Sequence, residues 1–258
     1  MKKSEKKGYG VFGKAYEYMF KNDLHHKRSV DHAILKNMIF LDEDSKLFLY
    51  RAPQPVSIDI SNHTLCEIAL KLKDDNHLKS INRTTEFINE IIGKFNTPFE
   101  GMIFGGTELE IIQRGSDWCT DISRVGAALL QCLGIPSRIA ILVNPFKAYH
   151  GHQVVEAYLD GTYVMCDFLY GVIARLDQNY SVYDLLSKPK LVHKIYSSKI
   201  NDSNQLDYIT SLYNLAAISE YDISKKHDYQ TSKPNEYYLN MMNLNQDGTW
   251  QMNEDKLE

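Results

Sequence analysis

The chain has 258 residues, 43% of them hydrophobic, and a formal net charge of −4. That length buries a sizeable core, and the absence of a dense Lys/Arg patch beyond the first residues argues against a nucleic-acid surface, where counterion release demands clustered positive charge. No apolar run approaches the length of a membrane span, so no membrane partner is expected.

From Tyr9 to Leu41, Tyr16, Met19, Phe20, Val30, Ala33, Ile34, Met38 and Ile39 recur at three- and four-residue intervals, which predicts two helices. The basic start Met1–Lys7 leads into a stretch where Lys14, Glu17 and Lys21 interrupt the apolar residues, so an export signal is not expected. Lys46 to Tyr50 reads as a short strand, and Val56, Ile58 and Ile60 alternate like a second edge strand after Pro53 and Pro55. Thr64 to Leu72 is predicted helical. A longer helix opens at Asn76, carries Leu78, Ile81, Phe87, Ile88, Ile91, Ile92 and Phe95 on one face, and ends near Thr97-Pro98. Gly101, Gly105 and Gly106 mark a loop; no phosphate-loop lysine follows, so flexibility rather than nucleotide binding is read there. No cofactor is expected.

The next segment, Gly115 to Gly134, carries the first chemical signal. Ile122, Val125, Gly126, Leu129, Leu130 and Leu133 form a helical stripe, Ser116 or Asp117 is placed to cap it, and Gly134 with Pro136 ends it. Cys119 falls in the first turn, where unpaired backbone N–H groups and the helix dipole favour a thiolate. Asp117 and Asp121 oppose that charge unless they cap or pair with Arg114 or Arg124. Cys66, Cys132 and Cys166 complete the four cysteines; without an export signal all are expected to be reduced, Cys66 and Cys132 in the core, and the location cytoplasmic.

Beyond Gly134 the period changes to two. Ser137 to Asn144 is a strand interior to a sheet, followed by strands over Gln153–Leu159 and Thr162–Phe168, with Asp160-Gly161 between them as a type I′ hairpin turn. If residues 160 and 161 form the loop, opposed residues sum to 321. Val154 then faces Asp167, and His152 and Asp167 become diagonal neighbours on one face, about 7 Å apart at the backbone. Cys166 points to the opposite face. A thiol, an imidazole and a carboxylate are the parts of a nucleophile, its base and the group that orients the base. His150-Gly-His152 with Cys166 or Asp167 also has metal-ligand spacing, but the register puts Cys166 on the wrong face and no metal is expected. Toward the C-terminus, Val182–Leu186 and Leu206–Ile218 suggest short helices, and tyrosine-rich stretches such as Tyr237-Tyr238 receive no role.

Cys119 in Gly115-Ser-Asp-Trp-Cys-Thr-Asp, Leu133-Gly-Ile-Pro-Ser-Arg138, Gly151-His-Gln-Val-Val-Glu-Ala-Tyr158 and Asp160-Gly-Thr-Tyr-Val-Met-Cys-Asp167 together resemble the transglutaminase-like superfamily over roughly residues 85 to 172. The resemblance implies an α+β fold with a papain/transglutaminase-like core, the nucleophile at a helix N-terminus packed on an antiparallel sheet, and helical additions at both ends. It implies a triad of Cys119, His152 and Asp167. The Cys119 backbone N–H is the first oxyanion donor, Gln113 lies at the offset where papain-like enzymes place a glutamine, and Trp118 either donates its indole N–H or walls the cleft. The expected organisation is an N-terminal extension (1–75), a catalytic core (76–175) and a C-terminal extension (176–258). The expected activity is a thioester formed on Cys119 from a peptide, amide or thioester-linked acyl substrate and passed to water, as in a peptidase or amidase. Transfer to an amine is the alternative, and a non-catalytic peptide-binding scaffold a further one. No oligomeric state is assigned.

Overall fold

Strand β1 (Met38–Phe40) opens the part of the chain that the computed structural model describes, namely residues 38–54, 64–94, 105–143, 151–219, 242–244 and 250–252. The helices expected before Met38, the strand expected at Val56–Ile60, Gly101 and Tyr237-Tyr238 lie outside the described residues. Met38 and Ile39, expected in a helix, instead pair antiparallel with Ser219 and Ile218. The expectation at Lys46–Tyr50 is also corrected: Glu43–Leu49 is a helix, α1. Asp42 caps it by accepting the Ser45 N–H at 2.7 Å, while Ser45 Oγ accepts the Asp42 N–H at 2.9 Å. That reciprocal box satisfies two orphan donors and favours a helix over a strand.

Helix α2 (Thr64–Leu70) and helix α3 (His77–Gly93) follow as expected, the latter capped by Asn76, whose side chain accepts the Leu78 N–H at 2.8 Å. A short helix α4 (Glu108–Arg114) intervenes before α5 (Cys119–Cys132). Then come β2 (Ser137–Val143), β3 (Gly151–Leu159), β4 (Thr162–Asp167) and β5 (Val172–Ile173), and helices α6 (Val182–Leu185), α7 (Pro189–Tyr196) and α8 (Ser203–Leu212). The helix expected to reach Ile218 stops at Leu212, because Ala216–Ser219 is a strand, β6, laddered to β1 on one side and β2 on the other. A separate two-stranded pair joins β7 (Met242–Leu244) to β8 (Trp250–Met252).

The architecture is α+β. The main sheet runs β1-β6-β2-β3-β4-β5, and all its pairs are antiparallel. β2 is interior, as its continuous apolar run implied. Helices cover both faces. Val155, Ala157, Val164, Cys166 and Phe168 face a core shared with α2, α3 and α5, whereas Val154 and Met165 face a core shared with α6, α7 and α8. On this second face a buried ion pair joins Arg138 to Glu156 at 2.7 Å, with the Tyr50 hydroxyl and the Val182 N–H donating to the other Glu156 oxygen. These three partners make the buried carboxylate tolerable and tie α1, β2 and α6 to β3.

Two contacts set the position of α5. Cys66 and Cys132 form a disulfide, 66 residues apart in sequence, so the expectation that all four cysteines are reduced is corrected. Both sulfurs sit in the core where α2 crosses the end of α5, and local pattern says nothing about such a crossing. The cysteine argument for a cytoplasmic location falls with it. At mid-helix, Gly126 lies under the Phe168 ring so closely that a Cβ there would come within 2.3 Å of a ring carbon.

Replacing Gly126 with alanine tests that contact. In an open helix the change gains roughly 0.5–1 kcal/mol. Here overpacking costs about 1–3 kcal/mol and dominates, so urea denaturation is expected to show a net loss. The Cys66→Ala/Cys132→Ala double variant is expected to lose up to about 4 kcal/mol by the same measurement, the loop-closure entropy of a bridge this long.

Candidate active site

Arg114 ends α4 and Gly115 turns the chain with φ of 79°, so that Ser116 folds inward and Trp118 enters α5 in extended conformation. Trp118 is the N-cap and no side chain caps the helix. The expected cap from Ser116 or Asp117 is thereby corrected. Ser116 Oγ accepts the Trp118 N–H at 3.2 Å and donates to Asp121 Oδ2 at 3.0 Å, which places it beside the helix rather than over its mouth. Asp117 is exposed.

Asp121 is fully buried in the first turn of α5. It accepts the Gly105 N–H at 2.8 Å, the Ser116 hydroxyl, and Arg114 Nη2 at 2.6 Å. Burial pushes this carboxyl up from its ordinary range, and the Gly105 N–H and Arg114 pull the other way. The acid thus pairs within its own loop. Arg124 is engaged with Glu108 at 2.8 Å and with the Gly106 carbonyl. The anchored loop delivers Cys119 as the first helical residue, half-buried and free of any disulfide. The first intrahelical bond runs from Ile122 N–H to the Trp118 carbonyl, so the N–H groups of Cys119 and its next neighbours have no carbonyl one turn behind them.

The partners arrive by the hairpin. Asp160 and Gly161 both have positive φ, 53° and 85°, as a type I′ turn requires. The ladder pairs Leu159 with Thr162 and Val155 with Cys166, the register that the turn predicted. His152 Nε2–H donates to Asp167 Oδ2 at 2.7 Å, both side chains being buried. These two groups lie on the sheet face opposite to α5. They meet the thiol at the sheet's rim: Ser123, one turn inside α5, donates to the Gln153 carbonyl at 2.9 Å, so Cys119 extends past the first residues of β3. The Cys119 thiol lies within interaction range of the His152 ring. With Nε2 committed to Asp167, Nδ1 is the ring nitrogen left for the sulfur.

Burial by itself would lower the His152 pKa, but the Asp167 charge and hydrogen bond, with the Cys119 contact, raise it to about 10. The ring is therefore an imidazolium at neutral pH. Asp167 has further donors. Oδ1 accepts the N–H groups of Leu169 and Tyr170 at 3.1 and 3.3 Å, and Oδ2 accepts the Tyr196 hydroxyl at 2.7 Å as well as His152. Tyr196 is hydrogen-bonded to Tyr213 at 2.8 Å, and both are buried to 1% exposure or less. Tyr170 lies against the His152 ring, centroids 5.6 Å apart, and its hydroxyl accepts from Gln205 Nε2. Neither Tyr196 nor Tyr213 is a candidate from sequence. Each is one of 17 tyrosines, and only the packing of α7 and α8 on the sheet singles them out.

The remaining sequence candidates are more dispersed. Gln113 is exposed on α4, and Trp118 is half-buried at the helix mouth. His150 lies outside the described residues. Cys166 is buried on the α5 face, where burial pushes its thiol well up, and its Sγ donates only to the Val164 carbonyl at 3.8 Å. No group of three or more His, Cys, Asp or Glu among the described residues is placed to hold a metal ion, and no helix among them is long and apolar enough to cross a membrane.

Residues 105–168, which run from the Asp121-bound Gly105 through the end of β4, match the core of the transglutaminase-like superfamily. No curated protein and no solved structure matches the chain.

The His152–Asp167 pair links stability to pH. A histidine whose folded pKa stands near 10 rather than its ordinary 6.5 contributes stability that is complete below about pH 6.5 and is lost as pH rises through 10. The stability gap between the parent and Asp167→Asn, read by urea denaturation, is expected to be widest near pH 6 and to narrow by pH 10.5; a gap unchanged across that range contradicts the assignment.

Proposed function

From a chain that carries a transglutaminase-like superfamily core at residues 105–168, we propose a cysteine-dependent acyl-transfer enzyme that passes the acyl group of an amide or thioester to water. The observation that carries this reading is the buried His152–Asp167 hydrogen bond at 2.7 Å, with the same imidazole within interaction range of a thiol at the mouth of α5. Each part has a chemical task. The Cys119 thiolate attacks the carbonyl carbon, forming the C–S bond and an oxyanion. The Cys119 N–H, which has no intrahelical acceptor, points donor charge at that oxyanion. Gln113 is the side-chain candidate for a second donor, and Trp118 for one wall of the cleft.

As the tetrahedral intermediate collapses, the His152 imidazolium gives its proton to the leaving amine or thiol, the bond to that group breaks, and a thioester on Cys119 remains. His152, now neutral, takes a proton from water as the water oxygen attacks. The acid leaves and the thiolate–imidazolium pair is restored. Asp167 keeps the ring in one orientation through the cycle and stabilises its charged form. An amine entering in place of water gives an amide instead. The fully buried Asp167, held by four donors, favours the enzyme over a peptide-binding scaffold. A binding surface has no use for so costly a buried charge behind an imidazole.

Iodoacetamide tests the reading, because Cys66 and Cys132 are bridged and Cys166 is buried, which leaves Cys119 as the accessible thiol. Cys119 is expected to alkylate faster than glutathione at pH 6, and His152→Ala to slow it by roughly 10²-fold or more. Alkylation no faster than glutathione and indifferent to His152 sinks the proposal. With an activated thioester as donor and a primary amine present, mass spectrometry of the products should show mainly the free acid, whereas an amide product would favour transfer to amines.

A further inference from the structure

Asp167 Oδ2 is shared by two donors at the same distance, His152 Nε2–H and the Tyr196 hydroxyl, each at 2.7 Å. A hydroxyl has one proton. Since Tyr196 gives its proton to the carboxylate, the 2.8 Å contact between the two tyrosine hydroxyls must run from Tyr213 to Tyr196. A chain of donors results, in which Tyr213 polarises Tyr196, Tyr196 draws charge from Oδ2, and His152 receives what remains. The whole chain is buried, so water does not dilute it.

We propose that Tyr196, backed by Tyr213, is a positioning residue that sets how strongly Asp167 holds the His152 imidazolium, and hence how readily that ring gives up its proton. The inference rests on the reading of Cys119 and His152 as a reacting pair. Its logic is competition for one oxygen. An Asp167 that hydrogen-bonded to His152 alone would hold the imidazolium more tightly, and an imidazolium held too tightly is a poor acid toward a leaving amine. The tyrosine pair relieves this while keeping the carboxylate solvated by protein. It also fixes the carboxylate plane: with Oδ1 held by the Leu169 and Tyr170 N–H groups and Oδ2 held from α7, the side chain cannot rotate away from His152.

Cys166, on the opposite face of β4, lies within electrostatic range of Asp167, and burial raises its pKa, which favours the neutral thiol. Cys119 faces His152 from α5, and Tyr170 lies against it from the turn after β4. Tyr208 of α8 and Tyr170 lie within electrostatic range of Cys119, and Glu156 of β3 within range of Tyr213. Glu156 is already neutralised by Arg138 at 2.7 Å. Burial holds the hydroxyls of Tyr196 and Tyr213 well above the ordinary tyrosine range, so both stay protonated donors throughout the accessible pH span.

The test is the pH dependence of Cys119 alkylation by iodoacetamide in the full chain, for the parent, Tyr196→Phe and Tyr213→Phe. A thiolate–imidazolium pair gives two steps, a lower one as the thiol ionises beside the imidazolium and an upper one as the imidazolium loses its proton. Tyr196→Phe keeps the ring and removes the competitor, so the upper step is expected to rise by roughly half to one pH unit, the net worth of one hydrogen bond. The lower step, which has imidazolium on both sides, is expected to stay. Tyr213→Phe removes the donor behind Tyr196 and should move the upper step in the same direction by less. The His152 Nε2–H proton resonance should shift downfield in Tyr196→Phe as that hydrogen bond strengthens.

A merely structural tyrosine would lower stability without moving the upper step alone. If the parent shows both steps and the Tyr196→Phe profile superposes on it, the positioning role is overturned and the cysteine-enzyme reading stands. If the parent shows a single thiol step, the cysteine-enzyme reading itself fails and takes this inference with it. Should Tyr196→Phe not fold, Tyr213→Phe carries the test by the same criterion.

Discussion

Asp167 carries a carboxylate into a place with no solvent access, and that burial constrains much of the surrounding structure. An unpaired buried charge costs several kcal/mol, so donors must surround it. Two come from the backbone of the turn that follows β4, one from His152 on the neighbouring strand and one from Tyr196 on α7. The four donors belong to three separate pieces of chain. The charge therefore acts as a staple: β3, β4, the turn and α7 must all be in place before the carboxylate is satisfied, and once satisfied it leaves His152 one orientation.

The thiol reaches this centre from the opposite face of the sheet, which makes the height of α5 along the sheet as important as the charge. Three contacts set that height by different means. Asp121 ties the first turn to the Gly105–Ser116 segment through Gly105, Arg114 and Ser116. Gly126 lets the helix close down on the Phe168 ring, immediately after Asp167 in sequence. The Cys66–Cys132 bridge fastens the far end to α2. A rigid helix held at its start, middle and end converts distant packing into thiol position.

Much of this centre was legible in the sequence because its geometry is local. A two-residue Asp-Gly turn forces a register, and the register forces His152 and Asp167 onto one face whatever the rest of the chain does. Cys119 was legible for the same reason, since helix periodicity places it at a mouth. What escaped was set by contacts between remote segments. The Cys66–Cys132 bridge depends on how α2 crosses α5, and Tyr196 is distinguished from other tyrosines only by where α7 lands. Ala216–Ser219 continued a helical pattern but became an inner strand, since a place between β1 and β2 offers ladder bonds on both sides, which outweighs a weak helical preference. The capping box of Asp42 and Ser45, by contrast, is local, and it makes Glu43–Leu49 a helix although the short apolar run at Leu47–Leu49 also reads as a strand.

The match to a known core ends at residue 168, yet the polar network does not. From Asp167 it continues through Tyr196 to Tyr213, residues from a segment that sequence alone left without a role. The same segment contributes β6, which lies between β1 and β2 in the sheet that carries His152. The strand inserted there and the hydroxyl placed on Oδ2 come from one contiguous stretch of chain. The C-terminal layer is thus part of the site's electrostatics: without it Asp167 would lose a donor and the second sheet face its cover, and a carboxylate open to water would neither hold one orientation nor sustain so basic an imidazole.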